Sequence, residues 1–172
     1  MENIDAAKDC LKRIYIKAKN GLLRDEAEAK LRPVIKMCHI NRELSMEDTE
    51  INRKYSLHEA LADLYCKVGC FAPALKHYKC QEVLLDLIEG ITKHQRKAVY
   101  FSIASTLVDL NKFQEALTYY NKELDVSTDN MELADIHMNI AKCLESNSSS
   151  VDEVMSSCQK AIQCAENSGI DR

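Results

Sequence analysis

The stretch LADLYCKVGCFAPALKHY (residues 61–78) aligns without a gap to IASTLVDLNKFQEALTYY (residues 103–120). Both stretches have alanine at their second and fourteenth positions, phenylalanine at their eleventh and tyrosine at their last. Each also has a turn-forming residue, Gly69 or Asn111, two positions before the phenylalanine. Apolar residues recur every three to four positions on both sides of that turn, which is the period of an amphipathic helix. Each stretch is therefore predicted to form two packed helices joined by a tight turn. The final tyrosines, Tyr78 and Tyr120, are expected in the core between adjacent hairpins.

This spacing is the pattern of a tetratricopeptide repeat, in which successive helix hairpins stack into a superhelix. We predict an all-α fold of this type, an α-solenoid with extended repeats. Residues 51–172 are expected to form three hairpins, and residues 1–50 to form N-terminal helices that complete or cap the solenoid. Together they would make one continuous domain, which we interpret as a fragment of a larger protein.

The helix boundaries follow from the apolar periodicity and the turn residues. The interval from Phe71 to Phe113 exceeds the roughly 34 residues of the simple repeat, so we expect the second helix of the first hairpin to be about two turns longer. Helices are predicted near residues 4–19, 24–44, 52–68, 72–89, 93–110, 112–125, 131–145 and 151–166. The second of them contains Pro33 and is expected to turn six residues inward: Ala27, Leu31, Val34, Ile35, Cys38 and Ile40.

Composition disfavours several classes of function. The net charge of -4 has the wrong sign for neutralising a phosphate backbone, so we expect no direct nucleic-acid binding. No apolar run approaches the roughly 20 residues of a membrane span, so no membrane partner is expected. The eight cysteines, most of them at helix-periodic positions, are interpreted as small buried residues of a protein in a reducing compartment.

No group of residues predicts chemistry or a cofactor. Cys66, Cys70, His77 and Cys80 are residue types that bind zinc. However, the hairpin would place them on different faces, so they are not expected to converge on one ion. The histidines are scattered without a supporting nucleophile motif. The sequence therefore predicts no enzyme, no catalytic residue, no metal site and no cofactor.

The concave face of the predicted superhelix is the best candidate for a binding site. In a tetratricopeptide repeat, one stripe of each first helix faces the groove, and its members follow from the 3.6-residue period. The predicted peptide-binding residues are Glu59, Asp63, Phe101, Ser105, Asp109, Asp135, Met138 and Asn139. With Glu145, five acids share this face, and an extended peptide bearing Lys and Arg is their natural complement. A solvated helix face explains any single one of these charges, so the hypothesis depends on their grouping.

Four stretches resemble the C-terminal part of the tetratricopeptide domain of the Tonsoku-like family. They are HEALADLYCKVGCFAPALKHY (58–78), SIASTLVDLNKFQEALTYYNKEL (102–124), IHMNIAKCLESN (136–147) and CQKAIQCAENS (158–168). The resemblance extends beyond the generic repeat residues to Asp63, Asp109 and Asn139. Glu59, Asp63, Asp109 and Asn139 match the family's stretches and also lie at predicted groove positions.

The resemblance implies a nuclear scaffold at damaged replication forks that promotes homologous recombination with other repair proteins. It further implies that the groove binds the N-terminal tail of the replicative variant of histone three. An alternative from another class is a structural adaptor that docks a folded protein through its convex or lateral face. In that case outward charges such as Lys76 and Lys79 would matter more than the groove acids.

Overall fold

The computed structural model describes residues 21–169, with side chains from residue 32 onward. The helix predicted over residues 4–19 lies outside this part of the chain. Between residues 21 and 169 there are seven helices and no strand. They are α1 (Gly21–Leu44), α2 (Ile51–Lys67), α3 (Phe71–Leu85), α4 (Lys93–Asp109), α5 (Phe113–Val126), α6 (Asn130–Ser146) and α7 (Val151–Asn167). None of the described helices has the length and apolarity that crossing a membrane requires.

The helices form three hairpins, α2–α3, α4–α5 and α6–α7, each packed against the next, with α1 against α2. The all-α solenoid predicted from the repeat is therefore confirmed. Small side chains let the helices approach closely at Ala62, Ala74 and Ala104, which are fully buried. Tyr78 and Tyr120 end the repeated stretches and are 6% and 4% exposed, so they fill the core as expected.

The first two hairpins turn through the same backbone motif. Gly69 has φ +74° and Asn111 has φ +56°, the left-handed conformation that ends many helices. The amide of the following residue then donates to a carbonyl near the end of the helix, from Cys70 to Tyr65 at 2.8 Å and from Lys112 to Leu107 at 2.8 Å. Glycine and asparagine adopt this conformation readily, which explains why these two residue types occupy the turn.

The third turn is rich in serine and has the same backbone motif. Ser148 has φ +55°, and the amide of Ser149 donates to the carbonyl of Leu144 at 3.0 Å, so the same motif recurs. Ser150 then caps α7 by accepting from the amide of Glu153, whose side chain accepts in return from the amide of Ser150. The last hairpin therefore keeps the turn geometry of the other two.

The prediction of a longer second helix in the first hairpin was wrong. Helix α3 ends at Leu85, and residues 86–92 form a connection that contains much of the additional length. Gly90 adopts a left-handed φ of +77°, Ile91 packs against the core and Thr92 caps α4. The end of the connection therefore forms a left-handed turn, a core contact and a helix cap instead of further turns of α3.

Two expectations about burial were also wrong in part. Ile35 was expected inside but is 43% exposed, whereas the face of α1 packed against α2 carries Met37 and the expected Ile40. Among the described cysteines, all of them free thiols, Cys143 is buried whereas Cys70 and Cys80 are exposed.

Candidate peptide-binding site

The eight candidate residues lie on the first helices of the three hairpins. Helix α2 carries Glu59 and Asp63; α4 carries Phe101, Ser105 and Asp109; α6 carries Asp135, Met138 and Asn139. Their spacing of three to four residues places the members on one face of each helix. All are exposed except Ser105 and Asn139, which are half-buried. We call these eight residues the acidic stripe.

Asp63 is held in place by a tyrosine of the core. The hydroxyl of Tyr78 donates to a carboxylate oxygen of Asp63 across 2.7 Å. Burial raises the pKa of Tyr78, and the neighbouring Asp63 carboxylate raises it further, so the phenol stays protonated and remains a donor. Sequence reasoning identified Tyr78 only as a core residue. It missed this second role because position in a repeat predicts burial but not the partner of a hydroxyl.

Asp63 and Asp109, on different hairpins, both act on the thiol of Cys66. Burial raises the pKa of Cys66, and the charges of Asp109 and Asp63 raise it further. The sulfur of Cys66 lies 4.0 Å from the hydroxyl oxygen of Thr106, which joins α2 to α4 at this point. The packing of the first two hairpins therefore brings these two predicted acids into one neighbourhood.

Glu59 adds a third negative charge one helical turn before Asp63. Its pKa is raised, mainly by burial and also by repulsion from Asp63, as expected for like charges four residues apart. Within residues 32–169, no lysine or arginine forms an ion pair with Glu59, Asp63 or Asp109. The α2–α4 part of the stripe therefore concentrates negative charge with no cation bound to it in the described part of the chain.

The remaining part of the stripe is apolar and amide-bearing. Phe101 and Met138 are 45% and 41% exposed, so each offers apolar surface to a ligand. Asn139 is half-buried on α6, next to the exposed Met138. Lys67 of α2 and Lys142 of α6 are also exposed on the first helices, so the face carries both signs of charge, with its acids in the majority.

The residues considered for zinc are placed differently. Nδ1 of His77 lies 2.9 Å from Nδ1 of His58 instead of facing the cysteines. Among the side chains of residues 32–169, no three His, Cys, Asp or Glu residues are grouped in the manner of a metal site. Sequence reasoning missed the contact between His58 and His77, since the two residues lie 19 positions apart on different helices.

Comparison with known proteins finds relatives by sequence. No family model matches the chain. The Tonsoku-like protein of Danio rerio is 33% identical over 144 residues, which cover 78% of this chain and 10% of that protein. The Tonsoku-like proteins of Bos taurus and Mus musculus are 28% and 27% identical, over 95% and 94% of this chain and 12% of each relative. The chain thus spans about a tenth of the length of these curated relatives.

A solved structure shares the fold. The crystal structure of Bacillus thuringiensis PlcR in complex with the peptide PapR7 and DNA matches with a TM-score of 0.59. The match covers 96% of this chain and 65% of that one, at 12% sequence identity. At this identity the likeness supports the helical architecture alone.

Proposed function

The chain belongs to the Tonsoku-like family, and from that premise we propose that it is a non-catalytic scaffold module whose acidic stripe binds a basic, extended peptide. The peptide we propose is the N-terminal tail of replicative histone three, bound in the nucleus during replication-fork repair and homologous recombination. Other repair proteins would associate through further parts of the full-length protein.

One observation carries this proposal. The charge of Asp63 raises the pKa of Glu59, and the charges of Asp63 and Asp109 both raise the pKa of Cys66. No described lysine or arginine forms an ion pair with any of these three acids. Like charges held together raise the free energy of the unbound protein, so a cationic ligand relieves repulsion as it binds. Ionised carboxylates also form charge-assisted hydrogen bonds with lysine and arginine, which are about twice as strong as neutral ones.

The stripe suggests a division of roles along the peptide. Glu59, Asp63 and Asp109 would pair with lysine or arginine side chains of the tail. Phe101 and Met138 would contact a small apolar residue between them. Asn139 has an amide that can both donate to and accept from a peptide backbone. Ser105 and Asp135 would lie beside these contacts. Recognition would involve no chemical step.

The test is calorimetric titration of the chain with an unmodified tail peptide of replicative histone three. We expect binding that weakens as salt rises, because exposed charge pairs are screened. Asp109→Lys should weaken binding by at least about tenfold, equivalent to about 1.4 kcal/mol. Asp109 is preferred to Asp63 for this test because Asp63 is also bonded to Tyr78, so its replacement disturbs the core.

Two controls make the result specific. Asp125→Lys introduces the same charge change at an exposed site on α5, outside the acidic stripe, and should leave tail binding within about twofold. A peptide with the same composition in scrambled order separates sequence recognition from charge attraction alone. Equal loss of binding in the Asp109 and Asp125 variants would contradict the proposed site. No binding by a correctly folded wild-type chain would contradict the proposed function.

One observation favours the alternative function, a structural adaptor. Lys76, Lys79, Cys80 and Val83 lie at a spacing of three to four residues on α3, and all are exposed. Val83 is 65% exposed, so this face combines an apolar contact with two cations. If a folded protein docks there, Lys76→Glu with Lys79→Glu would abolish its capture, whereas Asp109→Lys would leave it intact. The reverse pattern would favour the peptide-binding function.

A further inference from the structure

A cavity between α1 and α2 has the opposite charge to the acidic stripe. Its volume is about 460 Å³, within the range of small-ligand pockets. We call it the basic cleft and define it by Arg32, Ile35, Lys36 and His39 of α1 with Arg53 and Leu57 of α2. We propose that the basic cleft binds an acidic peptide segment anchored by an aliphatic side chain that enters between α1 and α2.

The charge of the cleft is the first argument. Its one acidic lining residue is Glu43, and the guanidinium of Arg53 donates to both Glu43 carboxylate oxygens, at 2.6 and 3.0 Å. That carboxylate is therefore already neutralised. Arg32 and Lys36 are exposed, and no described carboxylate forms an ion pair with either of them. The cleft is thus a cationic site on a chain whose net charge is -4.

The apolar floor is the second argument. Ile40 and Leu57 are 7% and 3% exposed and line the base of the cleft, and Ala60 lies beside them. Ile35 is 43% exposed at the same site, where we expected a core residue. A ligand that carried charge alone would leave the exposed part of Ile35 in water. An aliphatic side chain would cover it and gain free energy from the apolar area that it buries.

Two other occupants fit the cleft less well. Residues 1–20 contain more lysine and arginine than aspartate and glutamate, so that segment does not complement a basic site. A nucleic acid supplies negative charge, but its backbone has no aliphatic group for the floor, and strong binding requires more cations than the cleft offers. An acidic peptide with leucine or isoleucine meets both requirements at once.

The experiment uses a fluorescein-labelled peptide of alternating glutamate and aspartate with two leucines, titrated with the full chain and followed by anisotropy. We expect salt-sensitive binding that Lys36→Glu weakens by at least about tenfold. Ile35→Ser should weaken it by about threefold, since it reduces the apolar contact but not the charge. Lys160→Glu, the same charge reversal at an exposed site on α7, should change it by less than about twofold.

Several results would overturn the proposal. They are equal binding of a probe with serine in place of leucine, displacement by inorganic phosphate or by a single-stranded oligonucleotide, and displacement by a synthetic peptide of residues 1–20. Equal binding by wild type and Lys36→Glu would do so as well. Both cleft variants alter exposed side chains, so their far-UV circular dichroism should match wild type. Histone-tail binding to the acidic stripe should persist in both variants, which separates failure of this site from failure of the proposed function.

Discussion

The seam inside the first hairpin and the junction between the second and third hairpins both enclose titratable side chains. The seam is most stable at high pH, whereas the junction is most stable at low pH. In the seam, Nδ1 of His58 on α2 faces Nδ1 of His77 on α3, and the Tyr65 ring stacks on His77 with centroids 5.6 Å apart. Burial lowers the pKa of His77 to about 4, with His58 and Lys76 adding repulsion. Burial also lowers the pKa of His58.

The junction contains a carboxyl group instead. Glu123 of α5 is 5% exposed, and its Oε2 atom is buried with no hydrogen-bond partner among the described residues. Burial raises the pKa of Glu123 to about 7; the charge of Lys97 on α4 lowers it and that of Glu132 on α6 raises it. The ammonium of Lys97 is already bound to Glu132.

This difference shows that a nearby counter-charge does not by itself keep a buried group ionised. The histidine pair has no carboxylate facing it, so both rings are most stable when neutral. Glu123 does have a lysine nearby, but that lysine is bonded to another carboxylate and cannot fully compensate for desolvation. Protonation of the histidine pair therefore destabilises the first hairpin, whereas deprotonation of Glu123 destabilises the junction.

The largest expected effect concerns the histidine pair in acid. Because the pKa of His77 is lower in the folded chain than its ordinary 6.5, its contribution to stability is present above pH 6.5. It is lost as pH falls toward the folded value of about 4. Two protonated rings would also bring like N–H groups face to face. We expect a loss of about 1–2 kcal/mol of unfolding free energy between about pH 7.5 and 4.5, allowing for solvent screening.

Urea unfolding at the two pH values measures this loss, and His77→Gln isolates it from the titration of other groups. The variant should show a smaller acid-induced loss than wild type, although it loses the ring contact with Tyr65. His94→Gln is the matched control, because His94 is exposed at the start of α4. Identical pH profiles for wild type and His77→Gln would refute the role assigned to the pair.

The second prediction concerns Glu123 and has the opposite sign. Its pKa is higher in the folded chain than the ordinary value of 4.5, so its contribution is present below pH 4.5 and is lost as pH rises through about 7. Glu123→Gln keeps the shape but cannot ionise. We therefore expect it to stabilise the chain by about 1 kcal/mol at about pH 8 and by little at about pH 4.5.

Thermal or urea unfolding of the two proteins across this pH range provides the measurement. Glu115→Gln is a suitable control on the same helix, because Glu115 is exposed and its carboxylate bonds to Lys112 at 2.8 Å. The pKa of Glu115 is lowered by that bond, so its replacement should give no gain at high pH. A gain of equal size in both variants would point to net charge instead of burial.

The sequence predicted the architecture well because the repeat is a local pattern. The small residues and turn residues of two hairpins recur at fixed intervals, and Ala62, Ala104, Gly69 and Asn111 have the burial or backbone conformation that the pattern requires. The length of α3 was not predictable in this way. Val83, Leu84 and Leu85 continue the apolar run toward Ile88, so the pattern extended α3 to residue 89, although it placed the start of α4 correctly at Lys93.

The stripe was predictable only as a set of positions. Period alone places Glu59, Asp63 and Asp109 on the faces of first helices, and the structure leaves them exposed there. The bond from Tyr78 to Asp63 depends on how two helices are rotated against each other, which no local pattern specifies. The exposure of Ile35 has the same origin, because the rotation of α1 against α2 places Met37 in the interior and leaves Ile35 outside.

The smallest effect is also the most specific test of why the two regions differ. Glu132→Gln removes the carboxylate that binds Lys97, so the ammonium becomes free to interact with Glu123. It also removes the repulsion that raises the pKa of Glu123. The pKa of Glu123 should fall toward its ordinary value, and the loss of stability at high pH should shrink by about 0.5 kcal/mol.

A double variant with Glu123→Gln should then show less than the sum of the two single effects, because the groups share Lys97. Additive effects would mean that Lys97 does not couple them, and that burial alone decides the ionisation of Glu123.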